Sequence, residues 1–265
     1  MSVKKYSQIS QIKKIKVLRS TQHETYCAEI IQKPYENVSE HKHDELLREV
    51  HDLAKRGWGD FDYDYLEKNV LESYLLCLLR NDRGNLVGMA PIKRVKVLGR
   101  TIYSFGLSIV DPDFRGLSLL TRMSTVLVRR IFAENIIRGR GRIEFVFITP
   151  NIRTMGAIAR AANFIYPNPY DFDEKTKTIP RADDETWETV KEYLKVTKEK
   201  YRKLDRNGCV MEGFYDNRPH LIVKGRDHID KKLHDFGEKY LYATPGREIV
   251  VRAKIDLMGV LKNGN

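Results

Sequence analysis

Cysteine is scarce in this chain. Three cysteines in 265 residues, Cys27, Cys77 and Cys209, stand far apart and are odd in number. A disulfide framework is therefore not expected, and a reducing cytoplasm suits the chain better than an oxidising compartment. Cys77, inside the apolar run Tyr74 to Leu79, reads as a small buried hydrophobe. Long hydrophobic runs are missing as well: nothing approaches the ~20 apolar residues a membrane span needs. Residues 1–19 carry Lys4, Lys5, Lys13, Lys14 and Lys16 with no apolar segment, so a secretory signal is not expected there. His41, His43 and His51 lie close in sequence but have no cysteine beside them, and the carboxylates around them suit an exposed helix; no metal is expected.

Acidic charge is the minority, with 36 Asp and Glu against 47 Lys and Arg, a net charge of +11. The basic residues cluster at Lys13 to Arg19, Lys93 to Arg100, Arg129-Arg130, Arg138 to Arg142 and Lys195 to Arg206. Such a balance suits a polyanion, whether nucleic acid, an anionic cofactor or an acidic carrier protein, or else a surface that is simply solvated. No interleaved aromatic and basic RNA-binding motif accompanies it. With 42% hydrophobic and 31% charged residues the composition is globular, and the length allows a sizeable core.

In chain order, Lys14 to Arg19 reads as a first strand. Residues 21–34 read as a helix, because Thr21 and Glu24 have the spacing of a capping box. A second helix is expected from Asp44 to Arg56, where Leu46, Leu47, Val50, Leu53 and Ala54 recur at helical intervals, and Gly57 to Asp60 breaks it. The aromatic and acidic Asp60 to Tyr65 is either a helix-capping loop or a lid over a pocket. Ser73 to Arg80, Leu86 to Val97 and Thr101 to Val110 read as three strands joined by turns at Asn81 to Asn85 and Leu98 to Arg100, an antiparallel meander. A long helix from Leu117 to Ile137 follows, with Leu119, Leu120, Met123, Val126, Leu127 and Ile131 on one face. Ile143 to Thr149 is apolar almost throughout, as in a central strand, and the strand-helix-strand order implies a right-handed crossover and parallel pairing. A short helix from Ile152 to Ala162 comes next.

Between the meander and the long helix lies Val110-Asp111-Pro112-Asp113-Phe114-Arg115-Gly116. A strand that ends in a turn and runs into a helix presents unpaired N–H groups and the positive end of a helix dipole together, a setting for phosphate or pyrophosphate. The same pattern is also ordinary punctuation in α/β chains. These residues resemble the acyl-CoA-binding corner of the GNAT acyltransferase superfamily, where the strand end reads Val-x-Pro and is followed by an aromatic residue, Arg-Gly and two further small residues. Asn151, with Asn163-Phe164 about a dozen residues on where the family commonly has Gly-Phe, is a second match. The resemblance covers about Ser73 to Phe164.

The resemblance implies an α/β (α+β) fold with a GNAT-like mixed central sheet, an antiparallel meander followed by a parallel crossover, and flanking helices. It implies a core over residues 1–170, with 171–265 as an added, folded α/β extension packed on that core as part of an acceptor pocket or a dimer interface. In the extension, helices are expected at Asp183 to Leu204 and Ile229 to Tyr240. Strands are expected at Gly208 to Phe214, Leu221 to Val223 and Arg247 to Ile255, with a turn at Asp216 to Pro219.

It further implies an N-acyltransferase that moves an acyl group, acetyl first among candidates, from acyl-CoA to an amine of unidentified kind by direct attack. The backbone N–H of Ile109 or Val110 would polarise the thioester carbonyl. Arg115, Gly116, Leu117, Ser118, Leu119 and Leu120 would hold the pyrophosphate, and Asn151 would join them. The family's further small residues correspond to Ser118 and Leu120, and leucine crowds that approach. The tyrosine that in the family protonates the leaving thiolate corresponds to Ala159 or Arg160 here, so that acid is either missing or supplied by Tyr166 or Tyr170. In place of the family's usual glutamate base the strand offers Ser104, which would relay a proton through a water, or else the chain is a non-catalytic, cofactor-binding relic. Alternative readings are a GNAT-like protein using an acyl carrier protein as donor, and a basic module associated with nucleic acid.

Overall fold

Strand β1 (Gln11–Arg19) opens an antiparallel meander in a computed structural model of the chain, which describes residue 6 and residues 11–19, 22–59, 62–213, 230–244 and 246–256. It pairs along its length with β2 (Gln22–Gln32), β2 with β3 (Leu75–Arg80), and β3 with β4 (Leu86–Val97). The helix expected over residues 21–34 is thus a strand. Its backbone bonds β1 on one edge and β3 on the other, and Thr25, Tyr26, Ile30 and Ile31 are residue types that suit a pleated surface. Local spacing of Thr21 and Glu24 was a weaker signal than two flanking strands; Thr21 itself lies outside the described residues.

The chain divides into two compact units, Met1–Arg94 with Phe105–Ile131, and Val95–Ser104 with Phe132–Asn265. In the first, the meander is covered by α2 (His43–Trp58) and α3 (Tyr63–Leu71), which follow the single turn α1 (Pro34–Asn37). Leu46, Leu47, Val50, Leu53 and Ala54 recur at helical spacing on α2 and are buried. With Leu66 and Val70 of α3 they close on Ile31, Leu76, Leu78 and Met89. The acidic stretch before α3 is a capping loop: Asp62 Oδ1 accepts from the N–H groups of Asp64 and Tyr65 at 3.1 and 3.3 Å. Arg80 anchors the end of β3 through both oxygens of Glu49, at 2.8 and 2.5 Å. The first part of α4 (Leu119–Ile137) also belongs here, and Leu119, Met123, Leu127 and Ile131 bury its apolar stripe as expected.

The second unit is a mixed sheet. β5 (Arg100–Phe105) runs parallel to β7 (Arg142–Thr149), with Tyr103 opposite Phe145, which is the parallel pairing the sequence order implied. β11 (Arg247–Asp256) then lies antiparallel along β7 from Ile249↔Thr149 to Asp256↔Arg142. β8 (Phe164–Tyr166) and β10 (Val210–Glu212) both pair with β11, and β9 (Lys203–Asp205) pairs with β10. Residues after 170 therefore supply β11, a strand of the same sheet as β7. α5 (Ile152–Ala161), α6 (Asp184–Thr197) and α7 (Lys231–Gly237) complete the unit; α6 is shorter than expected because the segment after Lys198 turns into β9. The strand expected at Leu221 to Val223 and the turn before it lie outside the described residues.

A fully buried arginine ties this unit together. Arg252, on β11, donates from Nε to Glu144 at 2.7 Å, from Nη1 to Thr186 Oγ1 at 2.9 Å and from Nη2 to Glu185. Arg100 also donates to Glu185, at 2.7 Å, and to Thr189 Oγ1 at 2.7 Å. A buried charge left unpaired would be costly, and here each face of the guanidinium has an acceptor. Hydrogen bonds from Arg252 and then Arg100 hold the Glu185 carboxyl down at about 2, against an ordinary 4.5. The unfolded chain thus takes up a proton at Glu185 at higher pH than the folded chain does. The pair stabilises the fold above about pH 4.5 and ceases to do so as pH falls towards 2. Denaturant midpoints measured down this range should fall more steeply for the wild-type protein than for Glu185→Gln; parallel curves would mean that Glu185 is not so coupled.

Candidate anion-binding corner

One strand was expected from Thr101 to Val110, but β5 ends at Phe105 and the chain resumes pairing only at β6 (Ile109–Val110). Between them Gly106 donates its N–H to Pro91 O at 3.0 Å, and Ser108 Oγ donates to Gly106 O at 3.2 Å. Glycine is needed at this break: a Cβ on Gly106 would lie 3.0 Å from Pro91 Cγ and 3.1 Å from Asn69 Oδ1. β6 then pairs antiparallel with β4, Val110 opposite Gly88 and Ile109 opposite Met89. The N–H of Asp111 donates to Val87 O at 2.9 Å. In an antiparallel ladder successive amides alternate in direction. Ile109 and Asp111 therefore turn their N–H groups towards β4, and Val110 turns its own away. Of the two backbone donors expected from the sequence, Val110 is the one whose N–H is not turned towards β4.

Asp111 sets the rest of the turn. Its carboxylate is largely buried, accepts from Asp113 N at 3.1 Å on one oxygen and from Arg56 Nε at 2.8 Å on the other. Arg56 also donates to Leu86 O at 3.3 Å. A 3-10 turn over Pro112–Phe114 follows, with Phe114 edge-on to Tyr26 at 6.2 Å between ring centroids. Arg115 is exposed and its Nη2 donates to Gly57 O in α2 at 3.0 Å. Gly116 has φ +84° and Ser118 has φ +55°. Ser118 O accepts from Arg122 N at 3.1 Å, so the helix begins immediately after it.

Left-handed residues next to extended or helical ones turn successive N–H groups to one side, a backbone concavity that takes anions. The first-turn amides of α4, at Leu119, Leu120 and Thr121, have no acceptor within the helix and carry the positive end of its dipole. Arg115, Gly116, Ser118 and Arg122 are exposed, and Leu117 and Leu120 half-buried. A Cβ on Gly116 would meet nothing within 4 Å, so backbone angle and not packing asks for glycine there, and the space above the loop stays open. Residues 109–120 thus form one continuous stretch of backbone in the first unit, a candidate for binding an anion.

Ser104, Asn151 and Tyr166 belong to the second unit. Ser104 is buried with its hydroxyl 2.6 Å from Tyr193 Oη. Asn151 caps α5, its Oδ1 accepting from Arg153 N at 2.9 Å. Tyr166 Oη lies 3.1 Å from both Pro180 O and Arg206 O and accepts from Gly208 N at 3.1 Å. Burial pushes that hydroxyl up to about 12. Tyr170 Oη accepts from Arg160 at 3.1 Å. Each of these groups thus has a local bonding role. Among the described residues no three His, Cys, Asp or Glu side chains gather as a metal site; His43 bonds Val38 O and His51 packs on Tyr63.

Sequence reasoning did not find the Arg56–Asp111 pair. Asp before Pro is a legible cap signal, but nothing local to Arg56 points 55 residues ahead.

No protein-family model matches the chain, and no curated protein matches it. Solved structures give looser likenesses. The chain is similar to a GNAT family N-acetyltransferase (YhbS) from Escherichia coli in complex with CoA, at 20% identity over 37% of this chain and 56% of that one, with a TM-score of 0.28. The chain thus spans little more than half of that protein's length. It is similar to a GNAT family acetyltransferase from Brucella melitensis in complex with acetyl-CoA, at 16% identity over 45% and 74%, with a TM-score of 0.30. It is also similar to the ribosomal-protein-S18-alanine N-acetyltransferase from Escherichia coli, at 11% identity over 87% and 95%, with a TM-score of 0.35. Likenesses of this size carry no argument about activity, which rests on the chain's own geometry.

Replacing Gly116 by alanine should destabilise the protein by about 1–2 kcal/mol, the cost of a side chain in the left-handed region, because the added methyl meets no neighbour. Denaturant unfolding measures this; an unchanged midpoint would mean that the loop relaxes out of φ +84° freely.

Proposed function

We propose that the chain is an N-acyltransferase of the GNAT type, which passes an acyl group, acetyl first among candidates, from an acyl thioester to an amine. The observation that carries this reading is the backbone of Val110 to Thr121. An outward-turned N–H at the end of β6, a left-handed loop at Gly116 and Ser118, and the first turn of α4 follow one another within a dozen residues. That order suits a donor with a carbonyl at one end and a pyrophosphate at the other, which is how acyl-CoA is built.

In the reaction the amine nitrogen attacks the thioester carbonyl carbon. The C–N bond forms, the C–S bond breaks, the nitrogen loses a proton and the leaving thiolate takes one. Attack is direct, so no enzyme nucleophile is required. Val110 N–H would donate to the carbonyl oxygen as negative charge builds on it. The N–H groups of Arg115 to Leu120 would hold the pyrophosphate, with the cationic side chains of Arg115 and Arg122 beside them. The hydroxyls of Ser104 and Tyr166 have the partners described above, and the reading gives them no proton to carry. Asn151 is kept as a helix cap.

Leu120 favours a second donor class. Leu120 is half-buried and corresponds to a position where the family has a small residue, which would let a pyrophosphate approach most closely. A phosphopantetheine carried by an acidic protein has a single phosphate and would suit both this crowding and the net charge of +11. A cytoplasmic setting fits either donor. Among the described residues no helix is long and apolar enough to cross a membrane.

Calorimetric titration with acetyl-CoA, longer acyl-CoAs and free CoA tests the proposal. Binding on the order of micromolar is expected, with Leu120→Gly tightening it severalfold. Heats absent for every CoA species, with the fold intact, would overturn the acyl-CoA reading; an acyl carrier protein that then binds and donates its acyl group would establish the second.

A further inference from the structure

A second concave site lies in the first unit, away from the corner. A cavity of about 290 Å³ is lined by Lys33, Tyr35 and Glu36 after β2, by Glu72 and Tyr74 after α3, and by Arg94 on β4. Its volume is at the small end of ligand pockets. β4 meets β6 at Gly88 and Met89, and Arg94 lies five residues further along the strand, about 17 Å at ~3.4 Å per residue. The site therefore stands independently of the acyl-donor reading.

Its charges are arranged unevenly. Lys33 Nζ is bonded to both oxygens of Glu36, each at 2.8 Å, and the two neutralise each other. Arg94 is different. Its guanidinium lies over the ring of Tyr74, 4.1 Å from the centroid. That ring is fixed by its backbone: Tyr74 N donates to Ile92 O at 2.7 Å, and Tyr74 O accepts from Lys33 N at 2.9 Å. A guanidinium held over an aromatic face keeps its charge and its N–H donors, and their fork fits a carboxylate. Among the described residues Arg94 has no carboxylate partner and Glu72, exposed at the end of α3, has no cationic one.

The cavity thus offers a held cation and a carboxylate, each without a protein counter-ion. A phosphate would meet Arg94 but be repelled by Glu72, and a simple amine would meet Glu72 but be repelled by Arg94. A small molecule bearing both charges satisfies both. We propose that this cavity binds a free α-amino acid, its carboxylate on Arg94 and its ammonium on Glu72. The ring of Tyr35, 69% accessible and stacked on one side against His43, leaves its other face for the amino acid's side chain.

The test is an NMR titration of the full-length 15N-labelled protein with each standard L-amino acid, following the backbone amides of residues 72–74 and 94 and the Arg94 Nε–H. At least one amino acid should shift these resonances in a saturable way. Its des-amino acid and its decarboxylated amine should each bind at least roughly tenfold more weakly. Arg94→Gln and Glu72→Gln, both at exposed positions, should weaken binding by a similar factor while leaving the thermal midpoint and the shifts of the core residues unchanged. The proposal is overturned if no amino acid shifts these resonances up to roughly 10 mM. It is equally overturned if the des-amino acid binds as well as its parent, or if Glu72→Gln binds as the wild type does.

Discussion

Both oxygens of the Asp111 carboxylate are engaged, one by the N–H of Asp113 and the other by Arg56, while its own N–H closes on Val87 O. Three parts of the first unit meet at this one residue: the turn into α4, the helix α2 and the edge of β4. The direction of every donor downstream follows from it. After Asp111, Pro112 to Phe114 form a tight turn, Arg115 reaches α2, and Gly116 and Ser118, both left-handed, lead the chain to the start of α4. A buried carboxylate that lost Arg56 would keep its charge and lose its counter-ion, which is the costly way to break such a pair. The turn is thus held by bonds made behind it, to α2 and β4.

The second unit uses the same device more heavily. Arg252 has no solvent exposure and is satisfied by Glu144, Glu185 and Thr186, with Arg100 sharing the carboxylates. Its guanidinium joins β7, β11 and α6 in one network. β11, from the C-terminal residues, carries the arginine around which that unit's polar interior is built.

Local signals were legible where one stretch of sequence decides the outcome. The spacing of Leu46, Val50 and Leu53 gave α2, and that of Leu119, Met123, Leu127 and Ile131 gave α4. The near-continuous apolar run of Ile143 to Thr149 marked β7, and Val110 to Gly116 marked the corner. What escaped was set by partners distant in sequence. β2 read as helical on the capping-box spacing of Thr21 and Glu24, a local signal that says nothing of the β1 and β3 partners that make it a strand. The break between β5 and β6 comes from Gly106 meeting Pro91 and Asn69, neither of them a neighbour in sequence. Tyr166 was chosen for its chemistry, but Pro180, Arg206 and Gly208 take up its hydroxyl, contacts no local pattern announces.

The central claim is that the backbone of residues 110–121 is built to receive an acyl thioester's carbonyl and phosphates. Amide hydrogen exchange followed by mass spectrometry, with and without acetyl-CoA, addresses it most directly, because it reads those N–H groups themselves. The account predicts that acetyl-CoA slows exchange in the peptides covering 110–121, with the meander strands β1 to β3 unaffected. Protection confined to other segments, at acetyl-CoA concentrations that saturate binding, would contradict it.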